Sequence, residues 1–207
     1  MNRNWIAPLC GVAFVVVAVV VFALTGEGKD PSENSAQEIV QHWEDNQGKN
    51  ELASFLLGGA GILLLFFAAW IRQVLRAANP DGILPNVNFA ALVVTVAGIG
   101  VGATLHLALV AYVDDVDPVV TATLNTIDYN FFIPFAIGMA AFLLSLGISV
   151  VQNGGLPKWI GWTAVVLGIA SVTPAGFFGF LAGLLLIAII GILGAMRSGE
   201  GTAEGTA

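Results

Sequence analysis

The sequence predicts an all-α integral membrane bundle of six transmembrane helices, with a short amphipathic helix in the first outer loop. Of the 207 residues, 57% are hydrophobic and only 10% are charged, which is too little charge for the surface of a water-soluble domain. Long apolar runs recur along the chain, and the segments between them alternate between acidic and basic. Because basic segments stay in the cytoplasm, we expect a protein of the cell membrane with cytoplasmic N- and C-termini.

The acidic and basic side chains fall in different connecting segments. The segment 26–51 carries seven acids against two lysines, and the segment after the third apolar run carries acids without a base. The basic connections, which define the cytoplasmic side, contain Arg72, Arg76, Lys158 and Arg197. The pI near 4.5 and the lack of a basic patch argue against a nucleic-acid partner. The lipid bilayer is the partner that this composition requires.

The first apolar run, 5–25, is expected to be a retained helix rather than a cleaved signal peptide. It is longer than the core of about 7–15 residues that is typical of signal peptides. Ala23, Leu24 and Thr25 also make a poor cleavage site. The single cysteine, Cys10, lies inside this run, where it is expected to pack as a small apolar residue.

The outer loop 26–51 carries the signature of a short amphipathic helix. Ser35 and Glu38 have the spacing of a capping box, in which each residue satisfies the other's backbone N–H group. The apolar face predicted by helical spacing contains Ala36, Ile39, Val40 and Trp43. The helix is expected to lie on the outer membrane surface or on the mouth of the bundle, with Trp43 as an anchor at the interface. The opposite face carries Glu38, His42 and Asp45; this spacing fits a metal site, but a solvated polar face has the same pattern.

The remaining spans follow from apolar length and helix breakers. We expect them at 52–75, 87–112, 118–151, 159–173 and 177–196. Asp117 and Pro118 predict the start of the fourth span, and Pro134 predicts a kink inside it. The run 156–196 would be about 60 Å long as one helix, twice the membrane thickness, so a break is expected at Pro174. Residues 1–197 form one transmembrane domain, and 198–207 form a disordered cytoplasmic tail.

Two pairs of glycines have the spacing that lets membrane helices approach closely. These candidate packing residues are Gly98 with Gly102 and Gly179 with Gly183. Faces of this kind that are not used within the chain would be candidate surfaces for a homo-oligomer or a partner membrane protein.

His106 is the one ionisable residue predicted well inside a span. Such residues are costly in lipid, so they tend to face the bundle interior and to find partners. A polar cavity is therefore predicted from His106 together with Asp128, Asn125, Asp114 and Asp115. The alternatives are a neutral histidine that bonds a neighbouring helix and an acidic rim that is simply solvated.

The pattern resembles a broad group of uncharacterised multi-pass membrane proteins common in actinobacteria. The residues that carry this resemblance are the inner turn 156–162 (LPKWIGW), the acidic loop after the first span, and Leu124 with Asn125. The resemblance implies a six-helix membrane domain; it implies no reaction and no catalytic residue.

The sequence contains no motif that specifies a reaction. Nucleotide-binding, serine-hydrolase, zinc-protease and Cys-x-x-Cys patterns are all absent, and no catalytic residue, cofactor or metal site is predicted. The leading hypothesis is a non-enzymatic membrane protein with a packing or partner-binding role. The alternative is a small-solute or cation transporter with an outward-facing acidic and histidine cavity. A membrane-embedded metal-dependent hydrolase is the third hypothesis.

Overall fold

The protein is helical throughout the part of the chain that its computed structural model describes, which is 5–25, 28–131, 133–173 and 176–200, with only the backbone at 198–200. The helices are α1 (Ile6–Thr25), α2 (Ala36–Asp45), α3 (Gln47–Ala78), α4 (Leu84–Tyr112), α5 (Pro118–Tyr129), α6 (Ile133–Asn153), α7 (Lys158–Ala170) and α8 (Gly176–Glu200). Residues 201–207 of the predicted tail, residues 26–27 of the outer loop and the predicted break at Pro174 lie outside the described residues.

Among the described residues, five helical segments are long and apolar enough to cross a membrane. They are α1, α3, α4, the stretch from α5 to α6, and α8. The sixth apolar helix, α7, has only 13 residues, or about 20 Å of helix, which is less than the hydrocarbon thickness. Many large apolar side chains are exposed on the outside of the bundle, as is typical of a lipid-facing surface. The architecture indicates a membrane protein.

Six helices form a closed ring in the order α1, α3, α4, α6, α7 and α8, with α8 packing back against α1. Fully buried apolar side chains fill the centre, where the rings of Phe67 on α3 and Phe142 on α6 lie 6.5 Å apart. The helices α6 and α7 run antiparallel, because Gly147 contacts Gly161 and Val165 while Leu144 contacts Gly168.

All four predicted packing glycines lie at contacts between helices of this chain. A Cβ atom at Gly98 would lie 3.1 Å from Pro134 Cβ, and one at Gly102 would lie 3.3 Å from the Phe131 ring. A Cβ atom at Gly179 would lie 2.8 Å from the backbone nitrogen of Ser171, and one at Gly183 would lie 3.1 Å from Leu143 Cδ1. These four glycines therefore pack against other helices within the chain.

The helices α2 and α5 cover one end of the ring, which we call the capped end. They pack against each other and against the last turns of α4 around a small apolar cluster, separate from the main core, formed by Ile39, Trp43, Leu109, Val110 and Val113. The opposite end carries the turn after α6, where Gly154 and Gly155 have φ values of 83° and 86° that glycine adopts most readily. Arg197 near the end of α8 donates to the Gly155 carbonyl oxygen at 3.3 Å.

Helix caps in the connecting segments agree with the sequence. Ser35 and Glu38 form both hydrogen bonds of the capping box, with the Ser35 N–H donating to Glu38 Oε2 at 2.7 Å. Asp117 caps α5 by accepting from the Val119 N–H at 2.8 Å, and Pro118 follows it.

The predicted fourth span, 118–151, corresponds to one membrane-length stretch, Pro118–Asn153, but this stretch is divided between two helices. The chain leaves helical geometry after Tyr129, and Pro134 is the second residue of the next helix rather than a kink within a continuous one. The reason is local: a proline in the first turn of a helix forfeits no hydrogen bond, whereas one in mid-helix would. The helix α5 packs against α2 and α4, and Asp128 near its end lies beside His106.

The predicted interfacial role of Trp43 is wrong. The indole is 3% exposed and lies inside the protein between α2, α4 and α5. The helix α2 thus uses its apolar face to cover the end of the ring, because burying that face against α4 and α5 also removes it from water.

Candidate functional site

The site is built around His106, which lies on α4 one and a half turns before the helix ends. Its Nδ1 atom is 3.2 Å from Asp128 Oδ2 on α5, and its Nε2 atom is 3.3 Å from Asn50 Oδ1 on α3. His106 and Asp128 are each about one-fifth exposed, whereas Asn50 is 2% exposed. Three separate helices therefore bring a base, an acid and an amide to one point at the capped end.

The hydrogen-bond roles in this triad depend on the protonation of the imidazole. A carboxylate only accepts, so Nδ1 donates to Asp128. If Nε2 also donates, to Asn50 Oδ1, the ring is a charged imidazolium. If the ring is neutral, the Asn50 amide turns by 180° and donates its Nδ2 atom to Nε2. Either arrangement leaves one polar atom of the buried Asn50 amide without a partner among the described residues.

A second buried network holds the cover over this triad. Trp43 Nε1 on α2 donates to Asn125 Oδ1 on α5 at 3.0 Å, and Asn125 Nδ2 donates to the Lys29 carbonyl oxygen at 3.1 Å. The Trp43 ring also meets the His106 ring edge to face, with centroids 4.8 Å apart. Asn125 is 3% exposed, so these hydrogen bonds are shielded from water and fix α2, α5 and the segment before α2 to one another.

The triad lies where two cavities meet. The first is polar, has a volume of about 190 Å³ and is bounded by α2, α3, α4 and α5. The second is apolar, has a volume of about 270 Å³ and runs down into the bundle among α1, α3, α4, α6 and α8. Thr25, His106, Asp128 and Tyr129 line both cavities. The ionisable pair therefore stands at the boundary between a polar chamber and an apolar one.

The structure brings together three of the five residues predicted for the polar cavity. His106, Asp128 and Asn125 line the polar cavity. Asp114 and Asp115 are exposed in the turn after α4 and line neither cavity. The reason is that α4 ends at Tyr112, so both carboxylates lie in the exposed turn before α5 begins at Pro118.

Sequence reasoning missed Asn50 and gave Trp43 the wrong surroundings. Asn50 was placed in a loop, but α3 begins at Gln47, so Asn50, Ala53 and Leu57 share one helix face that lines the two cavities. The available signal in the sequence was the helical spacing of Asn50 with the apolar residues Ala53 and Leu57. The burial of Trp43 depends on α5, whose position the sequence pattern does not indicate.

His42 is the other histidine on the polar cavity. Burial lowers its pKa from the ordinary value, the positive charge of Lys29 lowers it further, and the carboxylate of Asp45 opposes both effects. The pKa of Glu38 is lowered because its carboxylate accepts from the backbone and side chain of Ser35. These surroundings favour a neutral imidazole at His42 and an ionised carboxylate at Glu38.

Within the described ranges, no group of three or more His, Cys, Asp and Glu side chains is placed to hold a metal ion. Glu38, His42 and Asp45, which the sequence offered as ligands at helical spacing, form no such group. In comparisons with known proteins, no family model, no curated protein and no solved structure matches this chain.

Proposed function

We propose that this protein is a six-crossing integral membrane protein that binds a small cation at the His106–Asp128 pair. The observation that carries the proposal is an acid, a base and an unsatisfied amide meeting at the junction of two cavities. A purely structural histidine would be expected to satisfy its neighbours. Here Asn50, at 2% exposed, keeps an unpartnered polar atom, which is costly unless a ligand or water completes its hydrogen bonds.

Charge favours a cation as the ligand. The described parts of the two acidic segments that meet at the capped end hold ten Asp and Glu residues against two lysines. A cleft surrounded by one sign of charge concentrates ions of the other sign. Asp128 uses Oδ2 toward His106, which leaves Oδ1 available to a bound cation. When His106 is neutral, the carboxylate of Asp128 carries an uncompensated negative charge that a cation would balance.

The same charge pattern supports the orientation of the protein in a cell membrane. Arg72, Arg76, Lys158 and Arg197 belong to the end opposite the cap, and the positive-inside rule favours that end in the cytoplasm. The capped end then faces outward, and α7, extended by the turn that follows it, serves as the fifth of six crossings. This topology places both termini in the cytoplasm.

The experiment measures binding of radiolabelled methylamine to the purified protein in lipid nanodiscs, with empty nanodiscs subtracted. We expect saturable binding that Asp128→Asn weakens by about tenfold or more, since a direct charge pair is lost. Asp115→Asn removes an acid from the same end that lines neither cavity, and it should leave the affinity nearly unchanged. If the two variants weakened methylamine binding equally, the binding would reflect a general attraction to the acidic surface and not a site at Asp128. If no saturable binding were found, the proposal would be refuted.

Transport is the natural extension of this site, since polar groups inside a bundle often line solute paths. The non-enzymatic partner-binding hypothesis receives less support, because the glycine pairs that motivated it pack inside the chain. The resemblance to actinobacterial multi-pass proteins remains a proposal about ancestry and adds no ligand.

A further inference from the structure

We infer that the cation is a primary amine with one unbranched apolar chain of about eight carbons, whose chain fills the apolar cavity. The ammonium group would sit at His106 and Asp128, and the chain would extend into the bundle. This inference rests on the proposed cation site and adds the chemical class of its ligand. Four observations carry it: the depth of the cavity, its volume, the side that we assign to the lipid and the hydrogen-bond acceptors at its mouth.

Two helices give the same depth for the apolar cavity. The lining residues on α4 extend from His106 down to Thr95, which is about 16 Å at 1.5 Å per residue. Those on α1 extend from Thr25 down to Phe14, again about 16 Å. The residues between these limits are Ile99 and Gly102 on α4, and Ala18, Val21 and Phe22 on α1. The residues that line this cavity, which we call the slot, therefore span about half the membrane thickness, with its polar end at the His106–Asp128 pair.

The volume of the cavity suits one short chain. Its 270 Å³ holds about nine groups the size of a water molecule or a methylene. Apart from its mouth, the lining is mostly aliphatic and aromatic, with Phe131, Phe135 and Phe180 along one side. Apolar cavities of about half this size stay dry and take up apolar molecules instead of water. Water is thus a poor occupant of the slot, and an alkyl chain is a good one.

The side of the apolar cavity that we assign to the lipid lies between α1 and α8. These helices approach closely far from the cap, where a Cβ atom at Gly191 would lie 2.6 Å from the Pro8 carbonyl oxygen. Toward the cap, Phe22 and Phe177 line the cavity and are each about half exposed on the outside of the bundle. These two half-exposed rings mark the side from which a chain dissolved in the bilayer would enter the cavity in this proposal.

The acceptors at the mouth suit a primary ammonium group, which has three N–H donors. Asp128 Oδ1, which does not take part in the contact with His106, supplies one acceptor. Water in the adjoining polar cavity would accept from the remaining donors. The other titratable side chains on that cavity are His42 and Tyr129. A carboxylate head group, by contrast, would meet Asp128 with like charge.

The experiment measures the affinity of the protein in nanodiscs for methylamine, butylamine, octylamine and dodecylamine, based on the free aqueous concentration of each. We expect the affinity to rise about threefold to fourfold per methylene up to octylamine and then level off. Simple partition into lipid would keep rising to dodecylamine, and empty nanodiscs measure it directly. Octanoate, which has the same chain and the opposite charge, should bind at least about tenfold more weakly than octylamine.

Two variants of α1 test the slot itself. Ala18→Phe places a ring in the cavity and should lower octylamine affinity by about tenfold or more while leaving methylamine binding intact. Val16→Phe adds the same ring two residues away, at an exposed position that does not line the cavity, and should change neither affinity. Equal affinities for methylamine and octylamine in the wild type would overturn the slot but leave the cation site standing. Failure of every amine to bind would overturn the cation site as well.

Discussion

The hydrogen bond between Trp43 and Asn125 should control how firmly the cover of the bundle is held. Trp43→Phe keeps the aromatic contact with His106 but removes the Nε1 donor, so the buried Asn125 oxygen loses a partner that lies at 3.0 Å. Leaving a buried acceptor unsatisfied costs about 1–3 kcal/mol. This cost corresponds to faster hydrogen exchange of α2 amides by about 5- to 150-fold, if they exchange through opening of the cover.

A double-mutant cycle separates this hydrogen bond from packing. Asn125→Leu should speed exchange of α2 similarly, because it orphans the Trp43 donor and the Lys29 carbonyl oxygen. The double variant should lose less opening free energy than the sum of the two single losses, with a coupling energy of about 1 kcal/mol or more. The reason is that the double variant lacks both the indole donor and the amide acceptor, so neither is left unsatisfied by loss of the other. Trp159→Phe, at an exposed position on α7, is the control. Strict additivity, or an effect of Trp43→Phe no larger than the control, would refute the reasoning.

Three further predictions concern packing, pH and topology. Gly147→Ala should destabilise the bundle by about 1–3 kcal/mol in thermal unfolding, because its Cβ atom would lie 2.7 Å from the Gly161 carbonyl oxygen. Gly58→Ala, where no described atom lies within 4 Å, should be neutral or stabilising; equal losses would contradict the packing. Acidification from pH 7.5 to 5.5 should increase the opening of α2 that hydrogen exchange measures, and His42→Gln should remove that response. The reason is that the pKa of His42 is lowered in the folded protein, so the unfolded histidine binds a proton at a higher pH and acidification favours the open state. A reporter fused after Met196 should be cytoplasmic, and a periplasmic signal would reverse the proposed orientation.

Part of the candidate site could be predicted from the sequence, because ionisable residues are costly inside a membrane span and are therefore rare there. His106 stood out as an ionisable group inside an apolar run, and Asp128 and Asn125 followed from the polar stretch before Pro134. Asp114 and Asp115 were grouped with them as part of an acidic rim on the predicted outer side. Nothing in the local sequence distinguishes the exposed carboxylates of Asp114 and Asp115 from that of Asp128, which α5 brings next to His106.

The chain's own chemistry was enough to determine that this is an α-helical protein with membrane-length apolar segments and charged residues concentrated in its connections. Those properties depend on local composition, since a backbone in lipid must satisfy its own hydrogen bonds within each helix. The tertiary structure alone decided that α5 packs over α2 and α4, that Trp43 is buried, and that Asn50 meets His106. Each of these depends on contacts between residues far apart in sequence, where the cost of an unpaired polar group in one helix is relieved only by the position of another.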